Sequence, residues 1–262
     1  MQLDKLIIQG RLRKSWSAID LGFRLAQQFW LPCAIMFALL AVPIYLLLYF
    51  SFDSADWWAI IVIWWFKPLF ERPILYFLSQ ELFQNSCSVS TTFGQFKKWC
   101  FKGILARLTF RRLSPCRSMY APIYVLEDAS GAQYGRRASV LGATHSSAAG
   151  GLTIVLIHFE SFFYFSVLLL AALFAPDYMS EVFDNWFSEG YFSSSEELLV
   201  DIIMLFVMSA VAPFYVAGGF MLYISRRIEL EGWDIEICFR EWLTQSQRRD
   251  LITPSREKIL DA

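Results

Sequence analysis

The chain has 262 residues, of which 56% are hydrophobic and 18% aromatic, with a mean hydropathy of +0.42. Charged residues make up 18%, against about 25% in soluble domains. That balance excludes an ordinary soluble domain and places the chain in the multi-pass membrane class. The formal net charge of -1 conceals a separation of basic from acidic residues along the chain.

Residues 1–28 form an arm with Lys5, Arg11, Arg13, Lys14 and Arg24. It is charged throughout and lacks the compact apolar region of a cleavable signal, so the first span is expected to be an uncleaved anchor. Leu12, Trp16, Ile19 and Phe23 recur at helical spacing. They predict an amphipathic helix, lying either on an anionic inner leaflet or against protein.

Residues 29–83 carry two predicted spans, Phe29 to Phe50 and Trp57 to Phe83, joined by a short loop with Asp53 and Asp56. Each exceeds the roughly 20 residues that cross a bilayer. The second contains "WWFKPLFERPILYF", in which Lys67, Glu71, Arg72, Pro68 and Pro73 interrupt an apolar run. Lys67 lies about 15 Å from the outer end of that span and Glu71 and Arg72 about 21–23 Å from it. Lys67 and Glu71 share a helical face, which predicts a local pair. Each proline removes a backbone donor, leaving carbonyls that Lys67 or Arg72 could satisfy.

Residues 84–151 are too long for a simple connection. Lys97, Lys98, Lys102, Arg107, Arg111, Arg112, Arg117, Arg136 and Arg137 make the segment basic. Phe96, Trp99, Ile104 and Leu108 predict a second surface-seeking helix. Pro115 and Pro122 favour an extended path after it. The tract "GATHSSAAGG" is small and polar, and a flexible connection is expected there.

Residues 152–225 carry the third and fourth predicted spans, Leu152 to Phe174 and Leu198 to Ser225. The loop between them holds Asp177, Glu181, Asp184, Glu189, Glu196 and Glu197 and no Lys or Arg. His158 and Glu160 lie roughly 9–12 Å into the third span, His158 at a depth comparable to Arg72 and Glu160 between the depths of Lys67 and Arg72. Glu160 is therefore expected to face the second span and pair with Lys67 or Arg72. The cluster Lys67, Glu71, Arg72, His158 and Glu160 has two readings. One is a relay or polar substrate path. The other is an ion-pair network that fixes helix register, or side chains that snorkel to the headgroups. In the fourth span, Ser209, Ala210, Ala212, Pro213, Ala217, Gly218 and Gly219 predict close helix packing.

Residues 226–262 are basic again, with Arg226, Arg227, Arg240, Arg248, Arg249, Arg256 and Lys258. Every basic residue outside the spans thus falls on one side of an even-numbered threading, which places both termini and the central segment in the cytoplasm. Ile235, Cys238, Phe239 and Trp242 share a helical face after the last span. Glu231, Trp233, Asp234, Glu236, Phe239 and Arg240 are the candidate partner-docking residues of that helix. The expected fold is an all-α membrane protein with four transmembrane helices and amphipathic cytoplasmic N-terminal, central and C-terminal helices.

No catalytic constellation is legible. There is no HExxH, GxSxG, Walker loop or CxxC pair, and His145 and His158 are the only histidines. The five cysteines (Cys33, Cys87, Cys100, Cys116 and Cys238) are odd in number and predict neither disulfides nor a metal site. The chain is read as a non-enzyme without a cofactor. Its basic patches adjoin spans, so anionic lipid explains them before nucleic acid does.

Three stretches, "WWFKPLFERPILYFLSQELF", "RRLSPCRSMYAPIYVLE" and "RRIELEGWDIEICFR", resemble an uncharacterised family of bacterial inner-membrane proteins with this polytopic layout. "LEGWDIE", Leu230 to Glu236, is the most specific part. The resemblance implies a bacterial cytoplasmic-membrane location and genes that neighbour MoxR-type ATPases and transglutaminase-like membrane proteins. It supplies no catalytic residues. Two functions stay open: a scaffold or accessory subunit of an envelope-associated complex, and a small oligomeric transporter or channel subunit that uses the intramembrane charges.

Overall fold

A computed structural model describes residues 13–51, 58–83, 87–96, 103–104, 108–109, 111–177, 180–181, 184 and 194–232. Among the described residues all regular structure is helical. The helices are α1 (Ser15–Gln28), α2 (Trp30–Ser51), α3 (Trp58–Leu82), α4 (Val89–Gly94), α5 (Arg117–Val125), α6 (Gly131–Phe174) and α7 (Ser194–Glu231). Three of them, α2, α6 and the Leu198–Glu231 part of α7, are long and apolar enough to cross a membrane.

The helix α7 is the centre of the bundle. Of its most apolar window 61% is buried, against 28% in α2 and 17% in α6. Its small residues let neighbours approach, as the sequence predicts. A methyl group at Gly22 of α1 would run into the backbone of Ala217 and Gly218. Phe23 sets its edge against Phe214 at 5.7 Å. The face of α1 formed by Ala18, Ile19, Gly22 and Ala26 is buried. That side of α1 is covered by α7, while Trp16 of the predicted apolar face is 58% exposed. Leu12 lies outside the described residues.

Helices α2 and α3 run antiparallel. Phe29 meets Phe77 at 5.7 Å and Phe37 meets Phe70 at 5.6 Å, so the rings ascend one helix while descending the other. Trp30 donates its indole N–H to Ala210 O at 3.0 Å, which ties α2 to α7.

Two expectations for the central segment are corrected. "GATHSSAAGG" is not a flexible connection but part of α6, which runs for 44 residues. Leu141, His145, Ala148, Ala149 and Leu152 are buried there. Their helical spacing wins over the local preference of the glycines and serines because neighbouring helices cover that face. The predicted extended path also fails at Pro122, which lies inside α5. The predicted helix carrying Phe96, Trp99, Ile104 and Leu108 falls partly on residues outside those described.

Beyond Leu152, α6 divides sharply. Leu156, Glu160 and Leu168 are buried, whereas Ile154, Val155, Ile157, Phe159, Phe162, Phe165 and Leu169 are exposed. A contiguous aromatic and aliphatic face of that size suits lipid rather than water.

Candidate functional site: a buried charge cluster at a proline-broken helix

The charged residues of α3 are enclosed: Lys67, Glu71 and Arg72 are 6%, 4% and 1% exposed. Lys67 Nζ donates to both carboxylate oxygens of Glu160, at 2.7 and 2.5 Å. The pairing expected for Glu160 is therefore present, and its partner is Lys67.

Glu71 does not pair locally with Lys67. Its Oε1 lies 3.3 Å from Arg117 Nη2. Arg117 also donates through Nε to the Tyr215 hydroxyl at 2.8 Å. That hydroxyl stands 3.3 Å from Thr153 Oγ1, which donates to Pro115 O at 2.5 Å. The correction has a geometric cause. An i,i+4 pair on one helix competes with a bidentate-capable guanidinium brought in from another element, and Lys67 is already engaged by Glu160.

Arg112 supplies the part that the sequence assigned to Lys67 or Arg72. Pro68 has no N–H, so the carbonyl of Trp64, four residues earlier, loses its helical donor. Arg112 Nη2 donates to that carbonyl at 2.8 Å. Its guanidinium also lies over the Trp64 ring, 4.3 Å from the centroid. The hairpin 111–117 thus inserts two arginines into the bundle. One replaces a proline's missing donor and the other neutralises Glu71.

His158 is not part of this cluster. It is exposed, and its Nδ1 lies 2.8 Å from Ile154 O on its own helix. Glu231 sits at the end of α7 and joins a separate network, whereas Trp233, Asp234, Glu236, Phe239 and Arg240 lie outside the described residues.

That second network occupies the opposite end of α5 and α7. Arg137 grips Glu127 with two hydrogen bonds, at 2.7 and 2.9 Å. Tyr223 donates to the same carboxylate at 2.6 Å. Arg227 and Arg137 both reach Glu231, at 2.8 and 3.2 Å. Burial pushes the Glu127 carboxyl up, but the hydrogen bonds from Arg137 and Tyr223 and the charges of Arg137 and Arg227 outweigh it and hold it below its ordinary value.

Sequence reasoning missed His145. It is buried, with Nδ1 2.6 Å from Ser15 Oγ and Nε2 3.1 Å from Glu229 Oε1. The residue types are those of a nucleophilic triad. The imidazole is shut away, however, and Glu229 is also held by Arg226 at 2.6 Å. The arrangement is a clamp that ties α1, α6 and α7 together. The signal for it was the spacing Leu141, His145, Ala148 and Leu152, hidden by the composition around it. Asp201, buried in α7 beside the Tyr45 hydroxyl, was missed as well.

A cavity between Glu71, Leu75, Ser118 and Tyr215 measures about 10 Å³, room for about one water, and a larger cavity of about 160 Å³ reaches Arg117. Among the described residues no group of His, Cys, Asp and Glu side chains is placed to hold a metal ion. Comparison of the chain with protein families, curated proteins and solved structures finds no match.

Proposed function

We propose that this protein is a non-catalytic integral membrane scaffold or accessory subunit of a bacterial envelope-associated complex. In this reading α3 is a fourth span beside α2, α6 and α7. Both termini and the central segment face the cytoplasm, by the segregation of Lys and Arg. The observation that carries it is the closure of the buried charges. Lys67 and Glu160 meet directly, Glu71 and Arg117 meet directly, and the cavity against Glu71 has the volume of a single water, while a larger one reaches only Arg117 of these four. A transport path needs hydrated, exchangeable sites. Directly paired charges fix helix register instead.

The C-terminal residues Glu231, Trp233, Asp234, Glu236, Phe239 and Arg240 would dock partners, with a MoxR-type ATPase system as the first candidate. Crosslinking in native membranes followed by mass spectrometry tests this. A stable heteromeric partner, lost when the segment after Gly232 is deleted, is the expected result. The transporter reading replaces it if only a homo-oligomer is recovered and proteoliposomes show an ion flux abolished by Lys67→Met. The threading is tested with Ser139→Cys, an exposed position of α6. An impermeant thiol reagent should label it only after the membrane is opened.

A further inference from the structure

Beside the arginine hairpin lies a second, larger cavity of about 160 Å³, walled by Arg111, Ser114, Arg117, Tyr120, Tyr124 and Tyr134. We propose that this cavity binds a phosphate group, presented by a soluble phosphorylated ligand on the cytoplasmic side.

The polar groups in the walls suit an anion. These six side chains offer guanidinium and hydroxyl donors and no carboxylate. The two arginines differ. Arg117 is neutralised by Glu71. Arg111 has no carboxylate within salt-bridge distance among the described residues, and its Nη1 is enclosed without a hydrogen-bond partner. Among the described residues no carboxylate compensates its charge, and the Arg111 side chain is one of the cavity's walls.

The charge is also held in position. The Arg111 guanidinium lies over the Tyr134 ring, 3.5 Å from the centroid, and Tyr134 stacks on Tyr124 at 4.4 Å. Stacking occupies the flat face of the guanidinium and leaves its N–H edge to serve an acceptor, the orientation that phosphate recognition uses. The Tyr120 hydroxyl depends on Gly142, because a methyl group there would collide with it. The size fits too: a cavity of about 150 Å³ accommodates a benzene ring, and a phosphate group is smaller.

The position of the cavity argues for a ligand from solution. Ser114 and Arg117, near Thr153, mark the membrane-side end of the cavity, whereas its walls Tyr134 and Ala138 precede Leu152 by fourteen residues or more. That is roughly 21 Å or more along the helix, beyond a headgroup layer of about 5–8 Å. This step rests on the proposed span boundaries; the phosphate chemistry does not.

The test uses the full chain in phosphatidylcholine nanodiscs, followed by tryptophan fluorescence and thermal unfolding. Inorganic phosphate is titrated against chloride at equal ionic strength. A second arm omits phosphate and adds phosphatidate to the discs. The expected result is a saturable rise in unfolding temperature with phosphate, weakened about tenfold in apparent affinity by Arg111→Gln. Tyr120→Phe and Ser114→Ala each remove one donor at nearly constant volume and should weaken it by a few-fold; they decide the matter if Arg111→Gln does not fold. A response confined to the phosphatidate arm and lost in these variants keeps the phosphate site and makes a lipid headgroup its source. A response to neither ligand, or one indifferent to all three substitutions, overturns the proposal without touching the scaffold reading.

Discussion

The Lys67–Glu160 and Glu71–Arg117 pairs and the ring of Glu127, Arg137, Glu231 and Arg227 use the same kinds of charge in different surroundings. The first two lie between packed helices, with side chains 4–10% exposed. The ring is half open, with Arg137 32% and Glu231 30% exposed. Inside the bundle each charge depends on its partner, because burial keeps bulk water away and lowers the effective dielectric. At the ring, water and salt share the work. Burial rather than distance is expected to set the strength of a pair here: Arg137–Glu127 at 2.7 Å is shorter than Arg117–Glu71 at 3.3 Å but more exposed.

The contrast can be broken most directly at the buried pair. Glu160→Gln should cost about 3–5 kcal/mol, because it leaves Lys67 buried without its counter-charge. Adding Lys67→Met should recover most of that loss. If unfolding in micelles shows the double variant as unstable as the two singles summed, the pair carries no coupling.

A smaller effect is expected where the hairpin meets the broken helix. Arg112→Met should cost about 1–3 kcal/mol by stranding the Trp64 carbonyl. Pro68→Ala restores a backbone N–H four residues on, so it should shrink that cost. An Arg112→Met penalty unchanged in the Pro68→Ala background would show that Arg112 acts through its packing on Trp64 alone.

The partly buried Glu127 should fall between the two regimes. Its carboxyl is held below its ordinary value, so its contribution is fully present above the unfolded value of about 4.3 and is lost as pH drops through the folded one. Unfolding temperature measured from pH 7 to pH 3 should decline in the acid range for the wild type. Glu127→Gln should be less stable at pH 7 by roughly 1–3 kcal/mol and decline less steeply. Parallel curves would remove Glu127 from the account.

The smallest change is expected at the open ring. Arg227→Gln should cost no more than about 1 kcal/mol, and the cost should shrink as salt is raised from about 0.05 to 0.5 M. A loss as large and as salt-insensitive as that of Glu160→Gln would erase the distinction between the two regions.

Much of the site was legible because the polar residues of α3 stand out in an apolar run. Depth counting along α3 and α6 brought Glu160 to Lys67 or Arg72, and the small residues of α7 announced close packing. The same procedure counted His158 into the cluster, whereas it lies on the exposed face of α6, since distance along the helix says nothing of rotation around it. Arg112 and Arg117 could not be placed, because nothing local says that a basic hairpin turns back into the bundle. His145 was lost to a composition that reads as flexible until neighbouring helices bury it.

By itself the sequence determined the apolar helices, the segregation of charge and the expectation that the charges of α3 find partners, because hydropathy and proline chemistry act over short stretches of chain. The tertiary structure alone decided which charges meet. Partner choice depends on helix rotation, crossing points and the return of the hairpin 111–117, and those follow from contacts between residues far apart in the chain.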